Sequence, residues 1–252
     1  MTDKPPRRPR SEIPLIQLVP NMLTIAAICA GLSAIRFGIQ GDFTLAVKLI
    51  LAACVLDGLD GRLARAMDAD SAIGAELDSL ADFLNFGVAP PLVIYFWGLQ
   101  SQSSIGWISV LIFAICCVLR LARFNVGTKS ETKGKDAAYF VGVPAPASAM
   151  LAMLPMFLSF AFTGAPILHP VGISLYLSVI GLLMISRVPT WSFKTTTISR
   201  RNVKAFLVAV AVVGASVLTF AWVTLVALCI GYVAVVIWAL VTKPRAAQSK
   251  DT

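Results

Sequence analysis

The sequence has 252 residues, of which 58% are hydrophobic and 13% are charged, and its mean hydropathy is +0.82. About a quarter of the residues of a soluble globular protein are charged, so this composition excludes a soluble domain and indicates an integral membrane protein. A net charge of +8 could suggest nucleic-acid binding in a soluble protein. Here topology signals and attraction to anionic lipid headgroups account for it.

The N-terminal segment 1–16 begins MTDKPPRRPRSEIP and is basic and proline-rich. No small-residue cleavage site precedes a short apolar core, which is unlike a cleaved signal peptide. We therefore expect a retained cytoplasmic tail, and an interfacial helix at its end is an option left open.

Runs of roughly 20 apolar residues, each long enough to cross a bilayer, follow along the chain. They predict eight transmembrane helices, at 17–37, 43–62, 79–99, 104–123, 143–163, 170–187, 203–220 and 222–241. Only a tight turn near Ala221 separates the last two, so seven spans are an alternative. The runs do not alternate with a period of two, which disfavours a β-barrel. We expect an all-α polytopic bundle forming one domain, 17–241, followed by a C-terminal tail, 242–252.

Basic residues predict the orientation of the bundle. Nearly all Lys and Arg fall in 1–16, 63–78, 124–142, 188–202 and 242–252 or in the adjoining helix ends. By the positive-inside rule these segments and both termini are cytoplasmic. Arg36 and Lys48 are exceptions near the outer helix ends, where they can snorkel to the interface. A bacterial inner membrane is the expected location.

Acidic residues concentrate around the connection between the second and third spans. Residues 56–87 hold seven of the 13 acids, namely Asp57, Asp60, Asp68, Asp70, Glu76, Asp78 and Asp82. At about 100° per residue, Asp57 and Asp60 share an arc of roughly 100° with Gly61 and Ala64, and Arg65 lies just beyond it.

On the following helix Gly74, Asp78 and Asp82 recur at i, i+4 and i+8, which places them within roughly 80°. Glu76 points to the opposite side. Asp68 and Asp70 belong to a predicted turn before a new helix.

Four carboxylates on two facing helices repel one another, and each costs about 2.5–3.5 kcal/mol at the centre of a bilayer. Two Mg²⁺ or Mn²⁺ ions shared by the cluster would offset that cost. The small residues beside the acids leave room for a phosphorylated ligand, so a diphosphate substrate is indicated. A solvated acidic hairpin, close packing at the glycines and a divalent-cation transporter are the competing interpretations. An intramembrane prenyltransferase would be expected to have a second aspartate cluster, which the sequence lacks outside 57–82.

The spacing of these residues resembles the signature of the CDP-alcohol phosphotransferase family. Asp57, Asp60, Gly61, Ala64, Arg65, Gly74, Asp78 and Asp82 match its eight fixed positions. The segments VPNMLT at 19–24, LRLARFNV at 119–126 and YFVGVPAPA at 139–147 are similar to the phosphatidylserine synthase branch. The resemblance covers roughly 20–147, and the later spans agree in hydrophobic character only.

The resemblance implies a metal-dependent transfer of the phosphatidyl group of CDP-diacylglycerol to the hydroxyl of serine, giving phosphatidylserine and CMP. It implies an active site on the cytoplasmic side and a homodimer. The implied roles are metal binding by Asp57, Asp60, Asp78 and Asp82, general base catalysis by Asp82, CDP binding by Asn21, Thr24, Gly61, Ala64, Arg65 and Gly74, and serine or phosphate binding by Arg120, Arg123 and Asn125.

Alternatives remain for the acceptor alcohol and for the role of the two arginines. The signature handles the CDP half, so the acceptor could instead be glycerol 3-phosphate, inositol phosphate or choline. Positive-inside anchoring would also explain Arg120 and Arg123. The five cysteines lie in apolar spans without metal-type spacing, and we expect them to be small core residues.

Overall fold

The computed structural model of the chain describes residues 18–67, 71–129, 139–164, 168–186, 189–191 and 203–248. Within these residues the chain is helical apart from one short pair of strands. The predicted tail 1–16, the turn acids Asp68 and Asp70 and most of the basic segment 188–202 lie outside them.

The described helices follow one another through short connections. They are α1 Val19–Ile39, α2 Phe43–Ala66, α3 Ala72–Asp82, α4 Ala89–Ile94, α5 Ser103–Lys129, α6 Ala145–Ala152, α7 Leu154–Leu158, α8 Pro170–Ile185, α9 Val203–Thr219 and α10 Ala221–Gln248. The segments Phe83–Val88, Tyr95–Leu99 and Ser159–Thr163 are π-helical, and Gln100–Gln102 is a 3₁₀ turn. Strands β1 (Tyr139–Val141) and β2 (Pro189–Trp191) pair antiparallel, with Phe140 opposite Thr190.

Each predicted span coincides with a helical stretch, and a break at Phe220 separates α9 from α10. By length and apolar composition, three described helical stretches could cross a membrane, or four if the bent pair α6 and α7 is one span. The count of eight spans therefore stays a prediction. Two features differ from expectation: the β1–β2 pair joins segments predicted to be loops, and α10 continues to Gln248, beyond the predicted start of the tail at 242.

The long apolar stretch Ile73–Val126 contains two antiparallel legs. The chain reverses at the 3₁₀ turn. Tyr95 before the turn and Trp107 after it meet edge to face, with their ring centroids 5.6 Å apart. Farther from the turn, a β-carbon added to Gly87 would lie 2.9 Å from Cys117 Sγ. The second leg, α5, packs in turn along α8.

Small residues allow α1 to approach its neighbours closely. Its buried positions recur at intervals of three and four, at Pro20, Thr24, Ala27, Gly31, Ala34 and Gly38. Such stripes are typical of helix interfaces in membranes. A β-carbon at Gly38 would lie 3.2 Å from a methyl group of Val93, and one at Gly31 would collide with the buried amide of Asn85. α1 therefore packs tightly against α2 and against the segment that follows α3.

Large apolar side chains also cover the outer faces of the helices. Leu218 is 89% exposed, and Ile39, Leu175 and Trp238 are also strongly exposed. A soluble monomer rarely exposes extensive apolar patches, so these faces and the long apolar helices are those of a membrane protein.

Candidate active site

The four aspartates singled out from the sequence lie where α2 and α3 face each other. The carboxyl groups of Asp57 and Asp82 are close enough to share a hydrogen bond. Asp60 and Asp78 are electrostatic neighbours of each other, and both also act on Asp82. Carboxylates repel at this separation unless a proton or a cation lies between them. The structure thus confirms the predicted shared face, while the roles of the residues stay predictions.

Asp60 is the most buried of the four, with 2% of its surface exposed. The Thr24 hydroxyl donates a hydrogen bond of 2.6 Å to its Oδ2 and also lies 3.1 Å from the Pro20 carbonyl oxygen. The Oδ1 atoms of Asp57 and Asp60 are buried, and no described residue forms a hydrogen bond with either of them. A buried acceptor without a donor is costly, so these two oxygens fit a bound cation.

Hard carboxylate oxygens are the ligands that Mg²⁺ prefers in proteins, and the donor set here is of that kind. Among the described residues, no group of three or more His, Cys, Asp or Glu side chains forms a site that could hold an ion by itself.

A cavity of about 600 Å³ opens beside Asp60 and Asp78. This volume lies within the range of about 300–1,000 Å³ that is usual for small-molecule sites. Its wall consists of Pro20, Asn21, Thr24, Asp60, Gly61, Ala64, Arg65, Ser71, Gly74, Ala75 and Asp78. The structure thus brings together around one space all six residues predicted to bind CDP.

Three wall residues were not predicted from the sequence: Pro20, Ser71 and Ala75. Ser71 caps α3, since its hydroxyl accepts a hydrogen bond of 3.0 Å from the Gly74 amide. A serine immediately before a helix is a recognisable capping signal, so this residue could have been found from the sequence. Pro20 and Ala75 carry no such signal.

The two signature glycines serve different purposes. A β-carbon at Gly74 would lie 2.9 Å from Asn21 Oδ1 and 3.0 Å from Ser71 Oγ. A side chain at this position would have to displace the ends of the Asn21 and Ser71 side chains, so close packing favours a glycine here. A β-carbon at Gly61 would meet no protein atom within 4 Å, although Gly61 lines the cavity. Packing does not explain this glycine, whereas space for a ligand does.

A second group of polar residues lies on α5. Arg120 is partly buried and interacts electrostatically with Asp82 and with Tyr232 of α10. Arg123 is exposed, and its guanidinium donates a hydrogen bond of 3.1 Å to the carbonyl of Ile185, the last residue of α8. Of the two predicted arginines, only Arg120 is thus seen facing the acidic cluster.

Asn125, the third residue predicted to bind serine or phosphate, contacts α3. Its amide donates a hydrogen bond of 3.0 Å to Ser79 Oγ, and the Ser79 hydroxyl lies 3.1 Å from the Ala75 carbonyl. This contact fixes the end of α5 beside the helix that carries Asp78 and Asp82. Neither Ser79 nor Tyr232 was singled out from the sequence.

Another cavity of about 600 Å³ lies at the opposite end of the bundle, beside the Gln100–Gln102 turn. Its polar residues include Gln100, Ser101 and His169. The His169 Nδ1 accepts a hydrogen bond of 3.4 Å from the Val171 amide at the start of α8, which agrees with a structural role. No aspartate or glutamate lines this cavity.

Comparison with known proteins gives consistent matches. Residues 17–190 match the sequence model of the family described as CDP-alcohol phosphatidyltransferase. A Mycobacterium leprae protein named CDP-diacylglycerol--serine O-phosphatidyltransferase is 39% identical over 212 residues, which are 83% of this chain and 70% of that protein. Proteins of the same name from Mycobacterium bovis and Helicobacter pylori are 46% identical over 174 residues and 36% identical over 195 residues. These two matches cover 63% and 76% of this chain, and 60% and 78% of the respective relatives.

Proposed function

The chain belongs to the CDP-alcohol phosphatidyltransferase family, and we propose that it transfers the phosphatidyl group of CDP-diacylglycerol to L-serine, releasing CMP. The observation that carries the proposal is the single cavity bordered by Asp60 and Asp78 and by all six predicted CDP-binding residues. The names of the similar proteins support serine as the acceptor.

The donor occupies the cavity between α1, α2 and α3. Gly61 leaves space for the nucleotide, because no side chain projects there. Arg65, in the last turn of α2, supplies a guanidinium that can pair with diphosphate oxygens. Asn21 and Thr24 close the side formed by α1. In this proposal the diphosphate would lie along the edge that carries Asp60 and Asp78.

Divalent metal is part of the proposal. Asp57, Asp60, Asp78 and Asp82 would hold two Mg²⁺ or Mn²⁺ ions, and the unpartnered buried oxygens of Asp57 and Asp60 support this. When bound, such ions supply positive charge that stabilises the diphosphate and the departing phosphate of CMP. Substrate oxygens would complete the coordination shells of the ions.

Asp82 is the general base of the proposed reaction. Its carboxylate accepts the proton of the serine hydroxyl, and the serine oxygen forms a bond to the lipid-linked phosphorus. The bond between that phosphorus and the bridging oxygen breaks, and its electron pair leaves with CMP. Arg120 lies beside Asp82, so it can hold the acceptor while the proton moves.

Arg123 and Asn125 complete the proposed acceptor site at the same end of α5. A guanidinium has five N–H donors, and the contact with the Ile185 carbonyl accounts for one of them. Asn125, held by Ser79, positions this end of α5 against α3. Serine carboxylate and donor phosphate are the anions these groups would bind.

The proposed topology follows the positive-inside rule. About eight spans within 17–241 would place the tails 1–16 and 242–252, and the acidic cluster, on the cytoplasmic side of a bacterial inner membrane. Water-soluble serine and CMP could then exchange directly with the cytoplasm. The chain would work as a homodimer, as its family resemblance implies.

CMP release from CDP-diacylglycerol tests the function. The purified protein in lipid vesicles would receive Mn²⁺ and, in separate reactions, serine, glycerol 3-phosphate, inositol phosphate or choline. Of the four alcohols, only serine should give CMP, together with phosphatidylserine. The Asp82→Asn variant should give neither product. Glu76→Gln is the matched control, because Glu76 is an exposed acid on the same helix. CMP release with another alcohol but not with serine would refute the acceptor, and Mn²⁺ flux without CMP release would favour a transporter.

A further inference from the structure

Tyr232 on α10 carries a buried hydroxyl that no hydrogen bond explains. The side chain is partly exposed, but its hydroxyl oxygen is buried and has no hydrogen-bond partner among the described residues. Buried tyrosine hydroxyls usually find a partner, and an unmade bond costs free energy. Tyr176, by contrast, donates a hydrogen bond of 2.6 Å to the Leu151 carbonyl.

The position of Tyr232 connects α10 to the acidic cluster. Tyr232 closes a small cavity of about 170 Å³ whose other walls are apolar. Those walls are Ala147, Met150, Leu151, Leu225, Leu228 and Cys229. Tyr232 is also an electrostatic neighbour of Arg120 on α5, and Arg120 is in turn an electrostatic neighbour of Asp82. A line of polar groups thus runs from the proposed base on α3 through α5 to α10.

This line of polar groups does not border the nucleotide cavity. The wall of that cavity comes from α1, α2, α3 and the cap residue Ser71, and it includes no residue of α5 or α10. Arg120 and Tyr232 are therefore separate from the groups that would hold CDP. An anion bound between them would lie near Asp82 and outside the nucleotide cavity.

We propose that the Tyr232 hydroxyl and the Arg120 guanidinium together bind the carboxylate of the acceptor amino acid. The inference rests on the proposed function and names a positioning and specificity residue for it. A phenol donates one hydrogen bond and a guanidinium donates two parallel ones, which matches the two oxygens of a carboxylate. The acceptor hydroxyl then points toward Asp82.

This assignment gives α10 a role that the family signature lacks. The match to the family ends at residue 190, whereas Tyr232 lies well beyond it. The signature residues handle the CDP half, so groups that distinguish one acceptor from another must come from elsewhere. A C-terminal helix outside the common region is a suitable source.

Tyr232→Phe, with Tyr176→Phe as the matched control, tests the inference. Both variants remove one hydroxyl beside the same small cavity, because the partner of Tyr176, Leu151, is one of its walls. In Tyr232→Phe we expect the KM for serine to rise about tenfold, as for loss of a hydrogen bond to a charged group, with the KM for CDP-diacylglycerol unchanged. The preference for serine over ethanolamine, which lacks the carboxylate, should fall by the same factor.

The Tyr176→Phe control and the KM for CDP-diacylglycerol distinguish weaker binding of the acceptor carboxylate from a loss of stability and from weaker binding of the donor. Tyr176→Phe should lower the thermal stability without changing the preference for serine over ethanolamine. An unchanged preference in Tyr232→Phe, an equal change in Tyr176→Phe, or a rise in the KM for CDP-diacylglycerol alone would overturn the inference. The last result would mean that the hydroxyl faces the donor phosphate. If the unmodified protein releases no CMP with serine, the proposed function and this inference both fail, whereas failure of the variant alone leaves the function intact.

Discussion

Replacing Gly61 with alanine should increase the stability of the protein while reducing its activity. Gly61 lies inside α2, where alanine is more favourable than glycine by about 0.5–1 kcal/mol. An added methyl group would meet no atom of the described residues within 4 Å, so no described contact opposes that gain. The methyl group would instead project into the cavity of about 600 Å³ that we assign to CDP.

The expected loss of activity follows from the space that the methyl group takes. Forcing an extra methyl group into a tightly packed contact costs about 1–3 kcal/mol. At 1.4 kcal/mol for each factor of ten, kcat/KM for CDP-diacylglycerol should fall on the order of 5- to 100-fold. Steady-state CMP release at varied donor concentration measures this, and thermal unfolding of the same preparation measures stability.

Gly58→Ala is the control for Gly61→Ala. Gly58 lies on the same helix, and a β-carbon there also meets nothing within 4 Å, but Gly58 does not line the cavity. It should therefore gain a similar stability with unchanged turnover. The assignment of the cavity is wrong if both variants lose activity equally, or if Gly61→Ala becomes less stable in parallel with its loss of turnover.

Three further predictions concern the polar groups. Thr24→Val removes the 2.6 Å hydrogen bond to Asp60 with little change in side-chain volume. The metal concentration for half-maximal activity should therefore rise about 10- to 100-fold. Thr24→Ser, which keeps the hydroxyl, should have the wild-type value. Chelation should abolish CMP release, and added Mg²⁺ or Mn²⁺ should restore it. The same ions should raise the thermal stability of the unmodified protein but not that of Asp60→Asn. If they also stabilise Asp60→Asn, the ion binds elsewhere. Arg120→Gln should reduce kcat/KM for serine more than Arg123→Gln does. Arg123→Gln should also lower the free energy of unfolding by about 0.5–1 kcal/mol, because Arg123 donates a hydrogen bond to the C-terminal end of α8. A larger loss of activity in Arg123→Gln would contradict this order.

The sequence predicts the acidic face because helix geometry is regular over short distances. Asp60 follows Asp57 by three positions, and Asp82 follows Asp78 by four. Either spacing puts both members of the pair on one face of an α-helix. The same regularity does not predict the π-helical segment Phe83–Val88, since its turn is wider than that of an α-helix. This segment begins immediately after Asp82, and π-helical segments frequently occur at functional sites.

Contacts between distant parts of the chain are what the sequence leaves open. Gly61 and Gly74 look alike in the signature, yet of the two only Gly74 has described side chains, those of Asn21 and Ser71, within 4 Å of an added β-carbon. Arg120 and Arg123 are close together in the sequence of α5, but the partner of Arg123 is the Ile185 carbonyl. Each distinction depends on which segment packs alongside, and spacing along one helix carries no such information.

The two sides of the acidic cluster explain why carboxylates concentrate at this point of an apolar chain. α1, α2 and α3 enclose the proposed nucleotide cavity, which Asp60 and Asp78 border. Asp82 does not line that cavity and is an electrostatic neighbour of Arg120. An acceptor held at Arg120 would therefore present its hydroxyl to Asp82, which is why we assign proton transfer to the last aspartate of the signature.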